Sequence, residues 1–324
     1  MDIEIRPCGS VEEVKQAITP IGYYFGRSDE DQAERLIRVM PAERVYAAWE
    51  GGRAVGGLGA FPFQLTIPGG RVPAAGVTVA GVLPTHRRRG VLRGMMRALL
   101  DACYQHGEPV AYLWASEDTI YGRFGFGWAS FAAEIDLPRE RSASHAPFAP
   151  FGRVQLVSPG AAEEFVAPVY ERVAVETPGM FARSSTWWQA RILADPEWRR
   201  GTNGDLQCAV LENEGRPTAY ALYRINSAFE RGLQTGSVAV IEAIARVARG
   251  DARYLAIFVG HRLDGPGESL APAARSSAPS LAGGAAPARF QPSGWRLGAP
   301  TRFQDCDVSA LVSGSRFRGH RCDR

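Results

Sequence analysis

The stretch of sequence that decides the fold is residues 77–96, which read VTVAGVLPTHRRRGVLRGMM. Its first part is apolar at nearly every position, which is typical of a strand buried on both faces. After three arginines and Gly90, apolar residues recur at helical spacing as far as Cys103. A strand that leads into a helix in this way gathers several backbone N–H groups and a helix N-terminus at one point, and anions bind at such points.

This junction predicts a site for a pyrophosphate group. Gly90 would allow close approach of the backbone, and an arginine would add charge. The residues expected around the anion are Arg87, Arg88, Arg89, Gly90, Val91 and Leu92. Two other interpretations are an amphipathic helix preceded by solvated arginines and a nucleic-acid patch. Since no second basic cluster or interleaved aromatic residues accompany the arginines, we predict no nucleic-acid partner.

A second candidate segment, residues 115–127, reads ASEDTIYGRFGFG and follows a predicted buried strand at 109–115. Tyr121 is a candidate acid, but a tyrosine in this position is also consistent with a core aromatic side chain. Ser116 is a candidate cofactor contact, or an N-cap for the short helix predicted over residues 119–124.

Sequence patterns divide the chain into four parts. Residues 1–137 alternate strand and helix patterns and predict an α/β domain. Residues 138–153 are rich in Pro, Ser, Ala and Arg and predict a linker. Residues 154–247 predict a second, smaller α/β domain. Residues 248–324 are dominated by Ala, Ser, Pro and Gly, a composition that cannot bury enough apolar surface to offset the entropy of ordering, and we predict that they are disordered.

Within the two domains, the pattern predicts individual elements. The strands expected in the first domain are 44–50, 54–60, 63–67, 71–74, 75–83, 109–115 and 128–137, with a helix from 91 to 103. The second domain is expected to contain a helix near 161–173, a helix ending at Leu193, and strands at 207–211, 218–223 and 238–243.

Composition limits the class of protein further. The net charge of +3 comes from residues 248–324, which carry 11 Arg against six acidic residues, whereas residues 1–247 carry 26 basic and 28 acidic residues. The five cysteines form no CxxC pair, so we expect free thiols and no metal site. No apolar run is long enough to span a membrane, and the first residues lack a signal-peptide pattern, which predicts a cytoplasmic protein without a membrane span.

The two segments together resemble the acetyl-CoA site of the GNAT N-acetyltransferases, and more closely that of the Eis (enhanced intracellular survival) family of actinobacterial acetyltransferases. The resemblance covers roughly residues 1–247 and rests on residues 79–90, 115–117, 120–127, Phe25-Gly26, 179–183 and Trp187-Trp188. It implies an α/β fold with a mixed, splayed central sheet, followed by a second, incomplete GNAT-like domain. Leu92 departs from the wider superfamily, which usually has Gly or Ala in that position.

The resemblance also implies a function. The chain is expected to transfer acetyl from acetyl-CoA to primary amines, such as lysine side chains and aminoglycoside-like polyamines, by direct attack on the thioester. Tyr121 would protonate the departing thiolate, and Ser116 would orient the cofactor. Backbone N–H groups near Val79, Ala80, Gly81 and Val82 would bind the thioester carbonyl. The tryptophans that are candidates for either the substrate pocket or the core are Trp49, Trp114, Trp128, Trp187 and Trp188.

The tail departs from the family. Family members continue into a sterol-carrier-like domain whose C-terminal carboxylate assists deprotonation, and the Arg-, Ser- and Gly-rich ending of this chain does not match it. We hypothesise a frameshift near residues 245–250, which resequencing of the gene would test. The alternative function is then a catalytically impaired acyl-CoA-binding remnant. The family hexamer uses the unmatched part, which puts that assembly in doubt here.

Overall fold

The computed structural model describes residues 2–25, 32–115, 117–130, 152–245 and 311–313, which form two layered α/β units. The first unit contains β1 (Glu4–Pro7), α1 (Val11–Phe25), α2 (Gln32–Ile37), β2 (Val45–Glu50), β3 (Arg53–Ile67), β4 (Gly70–Val82), α3 (Val91–Gln105), β5 (Val110–Leu113), α4 (Asp118–Tyr121) and β6 (Gly127–Trp128). The second contains β7 (Arg153–Val157), α5 (Glu163–Ala174), α6 (Ser185–Trp187), α7 (Glu197–Arg200), β8 (Gln207–Asn213), β9 (Arg216–Asn226), β10 (Phe229–Glu230), β11 (Leu233–Gln234) and β12 (Ser237–Ala245). A last strand, β13 (Leu311–Ser313), belongs to the sheet of the first unit.

The central sheet of the first unit has the strand order β1-β2-β3-β4-β5-β13-β6. All its pairs are antiparallel except β4 with β5, which α3 connects as a crossover. The parallel pairing runs only from Ala74↔Val110 to Val77↔Leu113. Because β4 continues to Val82 while β5 ends at Leu113, the two strands separate beyond Val77. The predicted mixed, splayed sheet is confirmed.

Helix α1 packs on this sheet at two glycines that face each other in the ladder, Gly57 of β3 and Gly81 of β4. A Cβ atom on Gly57 would lie 1.8 Å from the carbonyl oxygen of Ala17, and one on Gly81 would lie 2.6 Å from the backbone nitrogen of Ile21. Any side chain at these positions would therefore push the helix away. The two glycines fix the C-terminal half of α1 beside the end of β4.

Strand β3 is continuous through Pro62, so the prediction of separate strands at 54–60 and 63–67 is wrong. Pro62 pairs with Ala75 of β4, whereas β2 pairs with β3 only as far as Gly59. On the β2 side the missing N–H of proline therefore breaks no ladder bond, and proline is tolerated there. The strands predicted at 71–74 and 75–83 likewise form one strand, β4.

The second unit is a four-stranded antiparallel sheet, in the order β12-β9-β8-β7, with α5 packed on one face. The predicted helices and strands of residues 154–247 are present, and the helix expected to end at Leu193 consists of α6 followed by a π-helical turn, Trp188–Ile192. Strand β7 was not predicted. It is a sheet edge on which Val154 and Leu156 are exposed, so it lacks a clear burial pattern.

The two units meet along β3. Beyond the end of β2, backbone groups of β3 bond instead to residues 179–182: Thr66 N–H to Met180 O at 2.8 Å and Ala182 N–H to the carbonyl of Gln64 at 2.9 Å. Leu65 forms a bridge with Phe181 in this stretch. The second unit therefore continues the sheet edge that β2 leaves free, which brings α6 next to the first unit.

Several sequence predictions fall on residues outside the described ranges. These are most of the linker at 138–153, the end of the strand predicted at 128–137, and the tail at 248–310 and 314–324. Within the tail, the described residues Leu311–Ser313 form β13, which pairs with both β5 and β6 and satisfies the backbone groups of an otherwise open strand edge. In the described part of the chain, no helix is long and apolar enough to cross a membrane.

Candidate active site

A cleft of about 720 Å³ opens where β4 and β5 separate. Its walls are the C-terminal end of α1, the end of β4, the start of α3, β5, α4 and one side chain of α6. The volume is in the usual range for a small-molecule site. Ten of the twelve residues that the sequence predicted for the site line this cleft: Val79, Ala80, Gly81, Val82, Arg87, Arg88, Gly90, Val91, Leu92 and Tyr121.

The end of β4 carries a β-bulge. Gly57 pairs with Gly81 and Gly59 with Thr78, so two residues of β4 oppose one residue of β3 between these pairs. Val79, in the bulge, has a φ of +48°, which is sterically costly for a β-branched residue. Bulges redirect backbone groups. The pairing of β4 with β5 has ended at this point. The backbone groups of residues 78–82 that point toward the β5 side therefore have no strand partner within the described ranges, and these residues border the cleft.

The N-terminus of α3 lies at the cleft without a side-chain cap. Its N-cap is Gly90, with a φ of +81°, and no side chain caps the first turn. The N–H groups of that turn therefore point outward with the positive end of the helix dipole. Buried Val91, Met95 and Met96 anchor the helix against the sheet and so fix the direction of these groups.

The three arginines before α3 face different surroundings. Arg89 donates to Glu50 at 2.7 Å, and His86 Nε2 lies 2.8 Å from the same carboxylate, so Arg89 is paired outside the cleft lining. The bond from Arg89, followed by that from His86, lowers the pKa of Glu50 to about 2. Arg87 and Arg88 line the cleft, are exposed, and have no side-chain partner among the described residues. They are the arginines available to an anion.

Tyr121 is both a core residue and a cleft residue. It belongs to the core of the first unit, with 7% of its surface exposed and its ring edge-on to Phe126 at 6.1 Å between centroids. It also lines the cleft. The apolar packing therefore holds a phenol in a fixed position in the cleft wall. Ser116, the other candidate from this segment, lies outside the described residues.

Aromatic side chains from both units form another part of the cleft wall. The Trp187 ring of α6 contacts Phe63 at 4.7 Å and Phe61 at 5.0 Å between centroids, and all three line the cleft. Trp187 is thus both a core and a cleft residue. Trp114 also lines the cleft and is 54% exposed, whereas Trp128 is exposed outside it. Trp49 and Trp188 are buried in the two cores.

Sequence reasoning missed the α1 side of the cleft, where Ile21 and Tyr24 lie. The Tyr24 hydroxyl donates to Glu117 Oε1 at 3.0 Å and links α1 to the segment after β5. A signal was present in the sequence, because Ala17, Ile21 and Tyr24 follow the i, i+4, i+7 spacing of one helix face. The spacing does not show that this face of α1 packs on the core at Ala17 and borders the cleft at Ile21 and Tyr24. That difference arises because the helix extends past the point where β4 and β5 separate.

Comparisons with known proteins agree with this geometry. Residues 4–129 and residues 179–264 each match a family model for an acetyltransferase (GNAT) domain. An N-acetyltransferase of Streptomyces avermitilis whose function is uncharacterised is 40% identical over 219 residues, which are 66% of this chain and 53% of that protein. The N-acetyltransferase Eis of Mycobacterium tuberculosis is 38% identical over 185 residues, 55% of this chain and 44% of that protein.

Among solved structures, Eis1 from Mycobacterium abscessus superposes with a TM-score of 0.63 at 29% identity, covering 80% of this chain and 62% of that one. The fold is that of the GNAT acetyltransferases. Within that class, the chain belongs to the Eis-like proteins. It spans about half the length of the curated relatives that it matches. The second family match extends to residue 264, past residue 247, where the sequence resemblance was expected to end.

Proposed function

We propose that the chain is an acetyl-CoA-dependent N-acetyltransferase that acts on primary amines, including lysine side chains and aminoglycoside-like polyamines. The observation that carries this proposal is the cleft itself. An uncapped helix N-terminus and two arginines without a side-chain partner in the described part of the chain line the same cavity as a buried tyrosine. Acetyl-CoA supplies an acetyl group activated as a thioester and a diphosphate that matches the anion site.

Each part of the cleft then has a role. The α3 N-terminus with Arg87 and Arg88 holds the diphosphate. The backbone N–H groups at the Val79 bulge donate hydrogen bonds to the thioester carbonyl oxygen and stabilise the negative charge that develops on it. The substrate amine attacks the carbonyl carbon directly, from the part of the cleft lined by Trp187 and Phe63.

Tyr121 is the proposed general acid. Its hydroxyl gives a proton to the sulfur as the carbon–sulfur bond breaks. A free phenol has a pKa of about 10 and a free thiol about 8.5, so complete transfer to the thiolate is slightly unfavourable. The acid is therefore needed only as thiolate charge develops, and the rate gain is modest. The buried ring needs no reorientation before the transfer, because Phe126 and the surrounding core hold it in place.

Tyr121→Phe tests this role. The substitution keeps the packing and removes the proton donor, so kcat should fall about 100-fold while acetyl-CoA affinity changes little. The measurement is thiol release from acetyl-CoA against a panel of polyamines and aminoglycosides, with Tyr104→Phe, on the exposed end of α3, as the matched control. An unchanged kcat would refute the acid role. Acetyl-CoA binding without amine-dependent release in the wild-type chain would indicate an acyl-CoA-binding protein instead of an enzyme.

The arginines give a comparative prediction. Arg88→Gln should weaken acetyl-CoA binding about tenfold, because a charge-assisted contact to phosphate is lost. Arg89→Gln should weaken it less than about threefold, because Glu50 already pairs with that guanidinium outside the cleft. Calorimetric titration of acetyl-CoA into each variant measures both effects. Equal losses would mean that Arg89 leaves Glu50 to bind the ligand.

A further inference from the structure

The charge in the cleft is unevenly distributed. Five basic side chains line it: His86, Arg87, Arg88, Arg93 and Arg123. Within the described residues, Glu117 is the single carboxylate in the lining. Positive charge at the α3 end suits phosphates, but it repels a cationic amine. The cleft therefore has one place at which a cation is attracted.

The surroundings of Glu117 favour an organic cation. Glu117 is the N-cap residue of α4, four residues before Tyr121, and its side chain caps no N–H group of that helix. The exposed aromatic rings of Tyr24 and Trp114 line the same cleft. Aromatic faces together with a carboxylate are the usual surroundings of a bound ammonium group.

The carboxylate is also held in position. Tyr24 donates to its Oε1 atom, and Oε2 has no partner among the described residues. The negative charge of Glu117 raises the pKa of Tyr24 through this hydrogen bond. Since α1 is fixed on the sheet at Gly57 and Gly81, the bond from Tyr24 reaches across the opening between β4 and β5. One carboxylate oxygen thus stays open to the cleft. Arg87 is the charged group near Tyr24 that could compete for it.

We propose that Glu117 determines specificity by binding a second, non-reacting ammonium group of a diamine or polyamine. This inference rests on the proposed acetyltransferase function. An alkylamine is cationic at neutral pH, since its pKa is near that of lysine, about 10.4. The reacting nitrogen must lose its proton before it attacks, so an ionised carboxylate stabilises the nitrogen that keeps its charge. Four helical residues separate Glu117 from Tyr121 by about 6 Å along the axis, a spacing that a short aliphatic diamine can span.

The test compares 1,5-diaminopentane with 1-aminopentane, which have the same carbon chain and differ by one ammonium group. The proteins are the wild-type chain, Glu117→Gln, Glu117→Asp, and Glu12→Gln as a charge-matched control. Glu12 is exposed at the start of α1, about 18 Å along the helix from Tyr24. Two readouts are measured: thiol release from acetyl-CoA, and calorimetric binding of each amine to the protein saturated with CoA.

We expect the wild-type chain to prefer the diamine by roughly tenfold in kcat/KM, the worth of one charge-assisted contact. Glu117→Gln should remove this preference through KM, Glu117→Asp should restore part of it, and Glu12→Gln should leave it unchanged. Equal diamine binding by the wild-type chain and Glu117→Gln would overturn the inference. If no amine gives thiol release, the proposed function fails, and diamine binding that depends on Glu117 would still support the cation site.

Discussion

Gly57→Ala should lower the free energy of unfolding by about 3 kcal/mol or more, because the new methyl group would overlap backbone atoms of α1. The added Cβ would lie 1.8 Å from the carbonyl oxygen and 2.6 Å from the carbonyl carbon of Ala17. A backbone cannot rotate away as a side chain can, so the helix must move. Since Ile21 and Tyr24 of that helix line the cleft, acetyl-CoA binding should weaken together with stability.

Gly70→Ala is the matched control for this prediction. Gly70 begins β4, its φ is not positive, and nothing lies within 4 Å of a Cβ placed on it. The same substitution there should change stability by no more than about 0.5 kcal/mol. Urea denaturation followed by circular dichroism measures both variants. If Gly57→Ala were as stable as Gly70→Ala, α1 would not pack against the sheet at this point.

Glu242→Ala should destabilise the second unit by about 3–5 kcal/mol, because it leaves a buried arginine without its counterion. Arg183 makes a bidentate ion pair with Glu242 at 2.9 and 2.6 Å, with 7% and 11% of the two side chains exposed. The Tyr220 hydroxyl donates to the same carboxylate at 2.6 Å. Burial lowers the pKa of Arg183, but Glu242 raises it above its usual value. Because an arginine keeps its proton in proteins, the guanidinium would remain charged when Glu242 is removed.

A double variant distinguishes the cost of leaving the Arg183 charge unpaired from the cost of lost packing. Arg183→Met together with Glu242→Ala removes both charges, so it should recover about 2 kcal/mol relative to Glu242→Ala alone. Chemical denaturation of the single and double variants gives this coupling. Additive losses would show that the ion pair is not the source of the effect. Ser184, next to Arg183, caps α6 by accepting a hydrogen bond from the Trp187 N–H group, and Trp187 lines the cleft. Loss of order near Arg183 should therefore also raise KM for the amine.

Much of the anion side of the site could be predicted from sequence, because its chemistry is local. The buried strand, the arginines, Gly90 and the amphipathic helix are contiguous, and a strand followed by a helix N-terminus is an anion site in many folds. Nine of the ten predicted residues that line the cleft belong to this run for this reason, and Tyr121 is the tenth. Arg89 is the exception within the run. Its partner, Glu50, is 39 residues earlier at the end of β2, and no local pattern indicates that pairing.

The amine side could not be predicted in the same way, because it is assembled from distant segments. Tyr24 and Glu117 are 93 residues apart, and they meet only because α1 is fixed beside the open end of β4. Trp187 reaches the cleft because residues 179–182 bond to the edge of β3 that β2 leaves free. The apolar sequence around Trp187 would look the same whether this side chain packed only in a core or also lined a cleft.

The sequence by itself determined the α/β class, the buried strand followed by an amphipathic helix, and the resemblance to the Eis-like acetyltransferases. These features depend on residues that are neighbours along the chain, where periodicity, turn chemistry and backbone conformation act directly. Tertiary structure alone decided which arginine is neutralised, that Tyr24 reaches the cleft from α1, and where the only carboxylate in the described lining lies. Those outcomes depend on ion pairs and close packing between segments far apart in the chain, which form only once the sheet and its helices are assembled.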